Sequence, residues 1–446
     1  MSVSQPIPLI ESVDLRTFLI QLTLLAVSAL LLGRLTQRLG LTSIVGELSA
    51  GVLLGPSVLG NLAPALSGWL FPPDPAQFHM VEAVGQVGVL LLVGITGAHI
   101  DLSLVRRRGA TVARVSLAGM LIPAGLGVAI GLAIPASLVP ETADRGAFVL
   151  FLAVAMAVSA IPVIAKTLTE LRLVHRNVGQ LILCAVTVDD IIGWATLSVV
   201  SAMATTGVRA GNIALSIGSL LGVLVAAMLL RPVFRGLLRR AGRADGAEEG
   251  RVTIAVVVIL VLLAGALTQA VKLEAVFGAF ICGIVIGNCG ALSYAKLAPL
   301  RATVMAFLAP LFFSLAGLRM DLTALVRPVV LVTGLIVLAA AILGKFAGAY
   351  LGARLSRLGH WEGLALGAGM NARGVIEVII AMVGLRLGVL SVEVYTIIIL
   401  VAMVTSLMAP PLLRRTMAGL EQTAEERLRA QTFDDRPLAH DADGAR

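Results

Sequence analysis

Stretches of about 17–25 consecutive apolar residues recur from one end of the chain to the other, and no other feature restricts its fold as much. Inside a bilayer no water satisfies backbone N–H and C=O groups. A segment must therefore bond internally as a helix or close with others into a barrel. The runs lack the alternation of apolar and polar residues that barrel strands carry. Only 13% of the residues are charged, about half the share of a soluble domain. The expected fold class is an all-α polytopic membrane protein.

Thirteen spans are expected, at 17–33, 43–59, 81–99, 111–135, 146–169, 178–204, 211–230, 252–271, 274–290, 299–318, 328–352, 361–385 and 393–412. Alternate connectors differ sharply in basic residues. One set carries Arg34 and Arg38, then Arg106, Arg107, Arg108 and Arg114, then Lys166, Arg172 and Arg176. It continues with Arg235, Arg239, Arg240 and Arg243, Arg354 and Arg357, and Arg414 and Arg415, whereas the other set holds isolated residues such as Arg145, Arg209 and Arg386. By the positive-inside rule the C-terminus is cytoplasmic and the N-terminus outside. An excess of Arg over Lys suggests a bacterial genome, hence the bacterial inner membrane. The same distribution accounts for a net charge of +8 without any nucleic-acid partner. Residues 1–16 read as an extracellular segment with no basic leader, and 416–446 as a disordered cytoplasmic tail. Cys184, Cys282 and Cys289 lie in apolar runs and read as packing residues. No catalytic triad, metalloenzyme or phosphate-loop pattern occurs, so neither an enzyme nor a cofactor is expected.

Ionisable residues deep in spans are costly and point to function. "CAVTVDDIIGW" puts Asp189 and Asp190 in the middle of the sixth run. Neighbours on a helix point about 100° apart, so one can face a cation cavity while the other meets a partner. Lys345, in "AAAILGKFAGAY" of the eleventh run, is the candidate counter-charge, or it snorkels to the surface. In the fifth run, "AVSAIPVIAKTL" places Ser159 and Pro162 mid-span, where proline frees a carbonyl. In the twelfth, "GAGMNARGVIEVII" sets Gly367, Gly369 and Gly374 around Asn371, Arg373 and Glu377, the last two spaced to pair. Two interrupted helices, each in the middle of a three-span set, predict inverted repeats with ions held between the breaks. Gly51 and Gly55 form a small-xxx-small pattern that brings helices close, within the chain or between subunits.

Five segments, "SIVGELSAGVLLGPSVLG", "AVSAIPVIAKTLTEL", "VTVDDIIGW", "LFFSLAGLRMDL" and "GMNARGVIEVII", together resemble the monovalent cation:proton antiporter family 2. The resemblance covers about residues 15–415 and implies the NhaA-type fold, with inverted repeats and two crossed, discontinuous helices. It implies a transmembrane antiporter domain at 17–415, with a dimerising scaffold at 17–99 and 252–318. A linker span would follow at 211–230, and an ion-translocating core at 111–204 and 328–412. Carried over by position, Asp190 matches the ion-binding aspartate, Asp189 the residue before it, and Lys345 the lysine that pairs with that residue. Ser159, Ala160, Ile161 and Pro162 match one crossing peptide, Asn371 and Arg373 lie in the other, Glu377 follows it, and Thr187 lines the site. Lacking a nucleotide-binding motif, the chain departs from the potassium-efflux members. The implied activity is exchange of Na+ for protons in a lipid-embedded homodimer, electrogenic because Asp189 accompanies Asp190. K+/H+ exchange, with Li+ as a further test ion, stays open, as do a cation channel and a proton-coupled solute exporter.

Overall fold

The computed structural model describes residues 10–72, 74–100, 109–206, 210–241, 247–290 and 294–427. The expected basic residues Arg106, Arg107, Arg108, Arg209 and Arg243, with most of the N-terminal segment and the tail beyond 427, lie outside them.

The described chain is helical, and its helices fall in the expected apolar runs. They are α1 (Ser12–Arg38), α2 (Ser43–Leu54), α3 (Pro75–Ala98), α4 (Gly109–Ala133), α5 (Arg145–Ala157) and α6 (Ile161–Glu170). Next come α7 (Asn177–Thr206), α8 (Ala210–Ala241), α9 (Ala247–Ala270), α10 (Ala275–Asn288) and α11 (Ala298–Leu318), the last with a π-helical turn at Val304–Leu308. The series ends with α12 (Pro328–Leu355), α13 (His360–Met370), α14 (Val375–Arg386) and α15 (Val392–Ala418).

Among the described residues ten helical stretches are long and apolar enough to cross a membrane, one of them the stretch Ser43–Leu62 that begins with α2, or 11 when the bent pair α13–α14 counts as one span. With the two runs of shorter helices described next, all thirteen expected runs are helical. The runs at 146–169 and 274–290 are built from shorter pieces, α5 with α6, and α10. The interruption expected in the fifth run falls between α5 and α6.

Two compact units partition the chain. One comprises Met1–His99, Ala214–Leu331 and Val392–Thr396; the other comprises Ile100–Ile213, Val332–Ser391 and Ile397–Arg446. The boundary at 213/214 leaves most of the 211–230 run in the first unit.

In the first unit, Leu25, Val81, Leu311, Leu315 and Leu318 form a shared core between α1, α3 and α11. There α2 lies directly on α11: a Cβ at Gly51 would fall on the Ser314 carbonyl, and one at Gly317 on the Leu48 carbonyl. The Gly51–Gly55 pattern is thus consumed by a contact within the chain, and the subunit-interface reading of it is corrected. By contrast, the most apolar window of α8 has 0% of its residues buried, and Leu215, Leu221, Met228 and Leu229 point outward.

The second unit contains two three-helix sets, α4 with α5/α6 and α7, and α12 with α13/α14 and α15. Its interior differs from an ordinary membrane bundle in burying Asp189, Asp190, Lys345, Asn371, Arg373 and Glu377, none more than 2% exposed. The tail is ordered over 416–427, which corrects the expectation of disorder there. α15 runs on to Ala418, and a capping box then starts a turn of helix, with Thr423 and Glu426 bonding each other's backbone N–H groups.

Candidate functional site

Each broken helix creates loose ends that need partners. The last carbonyls of α5 have no N–H to accept from, because Val158, Ser159 and Ala160 run extended before α6 begins. Two buried cations complete them. Arg373 donates from Nη1 to the Ala155 carbonyl at 2.8 Å and from Nη2 to the Met156 carbonyl at 2.6 Å. Lys345 donates to the Ala157 carbonyl at 2.5 Å. Positive charge at a helix C-terminus also opposes the negative end of its dipole. The second break, Asn371 to Gly374, is closed from the first: the Ser159 hydroxyl lies 2.8 Å from the Met370 carbonyl, and the Ala160 N–H donates to Ala372 at 3.4 Å. Ser406 of α15 holds the Arg373 carbonyl. The two interruptions therefore meet.

Pro162 does not sit inside a kinked helix, as the sequence suggested. The break precedes it, and it occupies the first turn of α6, where its missing N–H would be unpaired in any case. In the other broken helix Gly367 and Gly369 lie within α13, and the chain leaves helical geometry only between Asn371 and Gly374.

The two aspartates have opposite surroundings. Asp189 Oδ2 accepts from Lys345 at 2.6 Å, and Oδ1 accepts from Ser116 of α4 at 2.5 Å. The Ser159 hydroxyl is 3.2 Å from Oδ2; with one hydrogen it serves either Asp189 or the Met370 carbonyl at a time. Lys345 is fully buried and does not snorkel. Asp190, 1% exposed, meets no side-chain donor and no counter-charge on either oxygen among the described residues. The Ile161 N–H, at the start of α6, is the backbone donor that acts on it. Asn371, also fully buried, has neither its Oδ1 nor its Nδ2 engaged among the described residues.

A buried carboxylate with no counter-charge costs several kcal/mol; a proton or a bound cation removes that cost. Among the described residues no three or more His, Cys, Asp or Glu side chains gather as a metal cluster. A cation here would rely on at most the two aspartates, Asp190 first and Asp189 once it leaves Lys345, together with neutral oxygens. Glu377 pairs through Oε1 with Arg373 at 3.2 Å and leaves Oε2 unbonded among the described residues. Thr187 donates to the Leu183 carbonyl of its own helix at 2.8 Å. The sequence reading missed Ser116 and Ser406. Both are isolated hydroxyls in apolar runs, and only their partners distinguish them from ordinary membrane serines.

Comparison with known proteins agrees with this architecture. A family model described as "Sodium/hydrogen exchanger, transmembrane" matches residues 24–419. The chain belongs to that family. It is a multi-pass membrane transporter of the monovalent cation:proton antiporter group, not an enzyme. It is 32% identical over 389 residues to the Na(+)/H(+) antiporter NhaS4 of Synechocystis sp., covering 86% of this chain and 93% of that one. It is 29% identical over 400 residues to cation/H(+) antiporter 15 of Arabidopsis thaliana, covering 90% of this chain but 48% of that one. The chain thus spans about half the length of the plant relative. The structure of the sodium proton antiporter MjNhaP1 from Methanocaldococcus jannaschii superposes with a TM-score of 0.65 at 18% identity, over 94% of this chain and 99% of that one, a likeness of fold.

Proposed function

We propose that this family member is an electrogenic Na+/H+ exchanger of the monovalent cation:proton antiporter family 2, in which Asp190 carries either the cation or the proton. The observation that supports this reading is the contrast between the neighbours: Asp189 is saturated by Lys345 and Ser116, while Asp190 is buried with no side-chain donor or counter-charge among the described residues. A carboxylate loaded with Na+ or a proton is neutral. The empty anion would have to cross apolar surroundings at a cost of several kcal/mol. The loaded core moves and the empty core stalls, which is obligatory exchange by an elevator mechanism. When Na+ binds, it draws Asp189 from Lys345, and the lysine then releases a proton. Two protons thus exchange for one Na+, and membrane potential contributes about 2.3 kcal/mol per 100 mV for each charge moved. In this reading 17–99 and 252–318 form the scaffold of a homodimer in a bacterial inner membrane, the 211–230 span links it to the core, and the C-terminus is cytoplasmic.

The test is cation-driven dequenching of a pH-sensitive dye in sealed proteoliposomes. Wild type should respond to Na+ and Li+, and Asp190→Asn should lose at least about 90% of the rate, as expected when the one ion-carrying group is removed. A variant that keeps the wild-type rate overturns the role of Asp190. A wild-type response to K+ without one to Na+ would reassign the substrate to K+ at the same carboxylate.

A further inference from the structure

At the ends of α6, α7 and α15 the second unit carries a polar cavity that ion exchange does not use. Its volume is about 470 Å³, it opens outward, and its lining includes Arg172, Arg176 and Arg414 together with Leu171, Leu173 and Met417. Three guanidiniums over an apolar floor suit a ligand that is anionic at one end and apolar at the other.

The site already accepts one anion. The Glu426 carboxylate takes the Asn177 N–H, at the start of α7, at 2.6 Å and lies 3.3 Å from Arg176 Nε. Arg176 Nη2 also donates to the Leu420 and Glu421 carbonyls at 2.9 and 3.2 Å. Arg176 is therefore engaged, whereas Arg172 and Arg414 are exposed and enter no ion pair among the described residues. Arg172 sits at φ 53, a conformation that side chains seldom adopt and that this tight connector imposes.

The depth of the cavity follows from helix length. α15 has 27 residues, about 40 Å at 1.5 Å each, against a hydrocarbon core of about 30 Å. The end of α15, with Arg415 in its last turn and Arg414 just before it, thus emerges at the level of lipid headgroups. Aromatic side chains stand at the same end: Trp361 packs against Gly419, and the Tyr350 hydroxyl lies 2.9 Å from His360. Amphipathic rings favour that interface.

We propose that this cavity binds the phosphodiester headgroup of an anionic phospholipid, with Arg172 and Arg414 on the phosphate and Leu171, Leu173 and Met417 against the first carbons of its chains. The lipid docks beside the connector that leads into α7, the helix bearing Asp189 and Asp190. Neither residue of the ion site takes part, so the assay reads binding and not transport.

The purified chain in a neutral detergent is titrated with short-chain phosphatidylglycerol, phosphatidylcholine or inorganic phosphate, and thermal unfolding is followed. Phosphatidylglycerol should raise the midpoint in a saturable way, and the other two should not. Arg172→Gln/Arg414→Gln should raise the half-saturating concentration about thirtyfold, each arginine near a charged surface being worth roughly fivefold. Arg239→Gln/Arg240→Gln, at the end of α8, should leave it unchanged. Three results overturn the proposal: equal stabilisation by phosphatidylcholine or inorganic phosphate, full stabilisation in the Arg172/Arg414 variant, or stabilisation that appears only after truncation at Arg427. The last would identify the acidic residues of 428–446 as the occupant.

Discussion

Replacing Lys345 by Met removes the one cation that touches Asp189, in a place where neither side chain reaches solvent. Asp189 would keep the Ser116 and Ser159 hydroxyls, and the Ala157 carbonyl would lose its donor. Breaking a buried ion pair from one side costs about 3–5 kcal/mol, because an uncompensated charge stays behind. Removing both partners does not leave that charge, so Lys345→Met/Asp189→Leu should be more stable than Lys345→Met alone by roughly 2–3 kcal/mol, the coupling expected of residues in contact. Unfolding in mixed detergent micelles can be followed by the fluorescence of Trp194, which is 1% exposed on α7 one turn beyond Asp190. If the double variant is destabilised by the sum of the two single effects, Lys345 and Asp189 are not energetically coupled and the argument from their geometry is wrong.

Arg373→Ala should destabilise the second unit by ~3–5 kcal/mol, since it strips donors from Ala155 and Met156 and leaves Glu377 unpaired; unfolding within about 1 kcal/mol of wild type, the range of an ordinary substitution, would contradict this. Gly51→Val should cost at least ~2–3 kcal/mol by overpacking, because its side chain would collide with the Ser314 backbone; a crosslink between cysteines placed on α2 and α11 reports the displacement. Outside the membrane, burial raises the pKa of the Glu426 carboxyl, but the N–H groups of Asn177 and Thr423 and the Arg176 guanidinium outweigh it and hold the carboxyl below its ordinary 4.5. A depressed pKa adds stability that is fully present above the ordinary value and lost as pH falls through the lower, folded value. Amide exchange in 420–427 should therefore stay slow down to the ordinary carboxylate range and accelerate only below it. Glu426→Gln should accelerate it already at neutral pH, and equal protection in that variant under the same conditions would refute the anchoring role.

Membrane residence and helical class follow from the sequence alone, because hydrocarbon admits no other backbone solution for runs of that length and composition. So does the inventory of suspects: Asp189, Asp190, Lys345, Arg373 and Glu377 stand out wherever charge is expensive. Adjacency in sequence could not say which aspartate is paired with a lysine and which has no counter-charge. That was decided by Ser116, Lys345 and the Ala157 carbonyl, which come from three different helices. The breaks show the same division. Proline and glycine marked two weak places: the first helix opens just ahead of Pro162, at Val158–Ala160, and the second between the marked glycines, at Asn371–Gly374, where the opposite break and a buried cation supply the missing partners. Local chemistry determines where a helix can yield. Only packing determines where it does, since a freed carbonyl in a membrane is tolerable only if another part of the chain arrives to bond it.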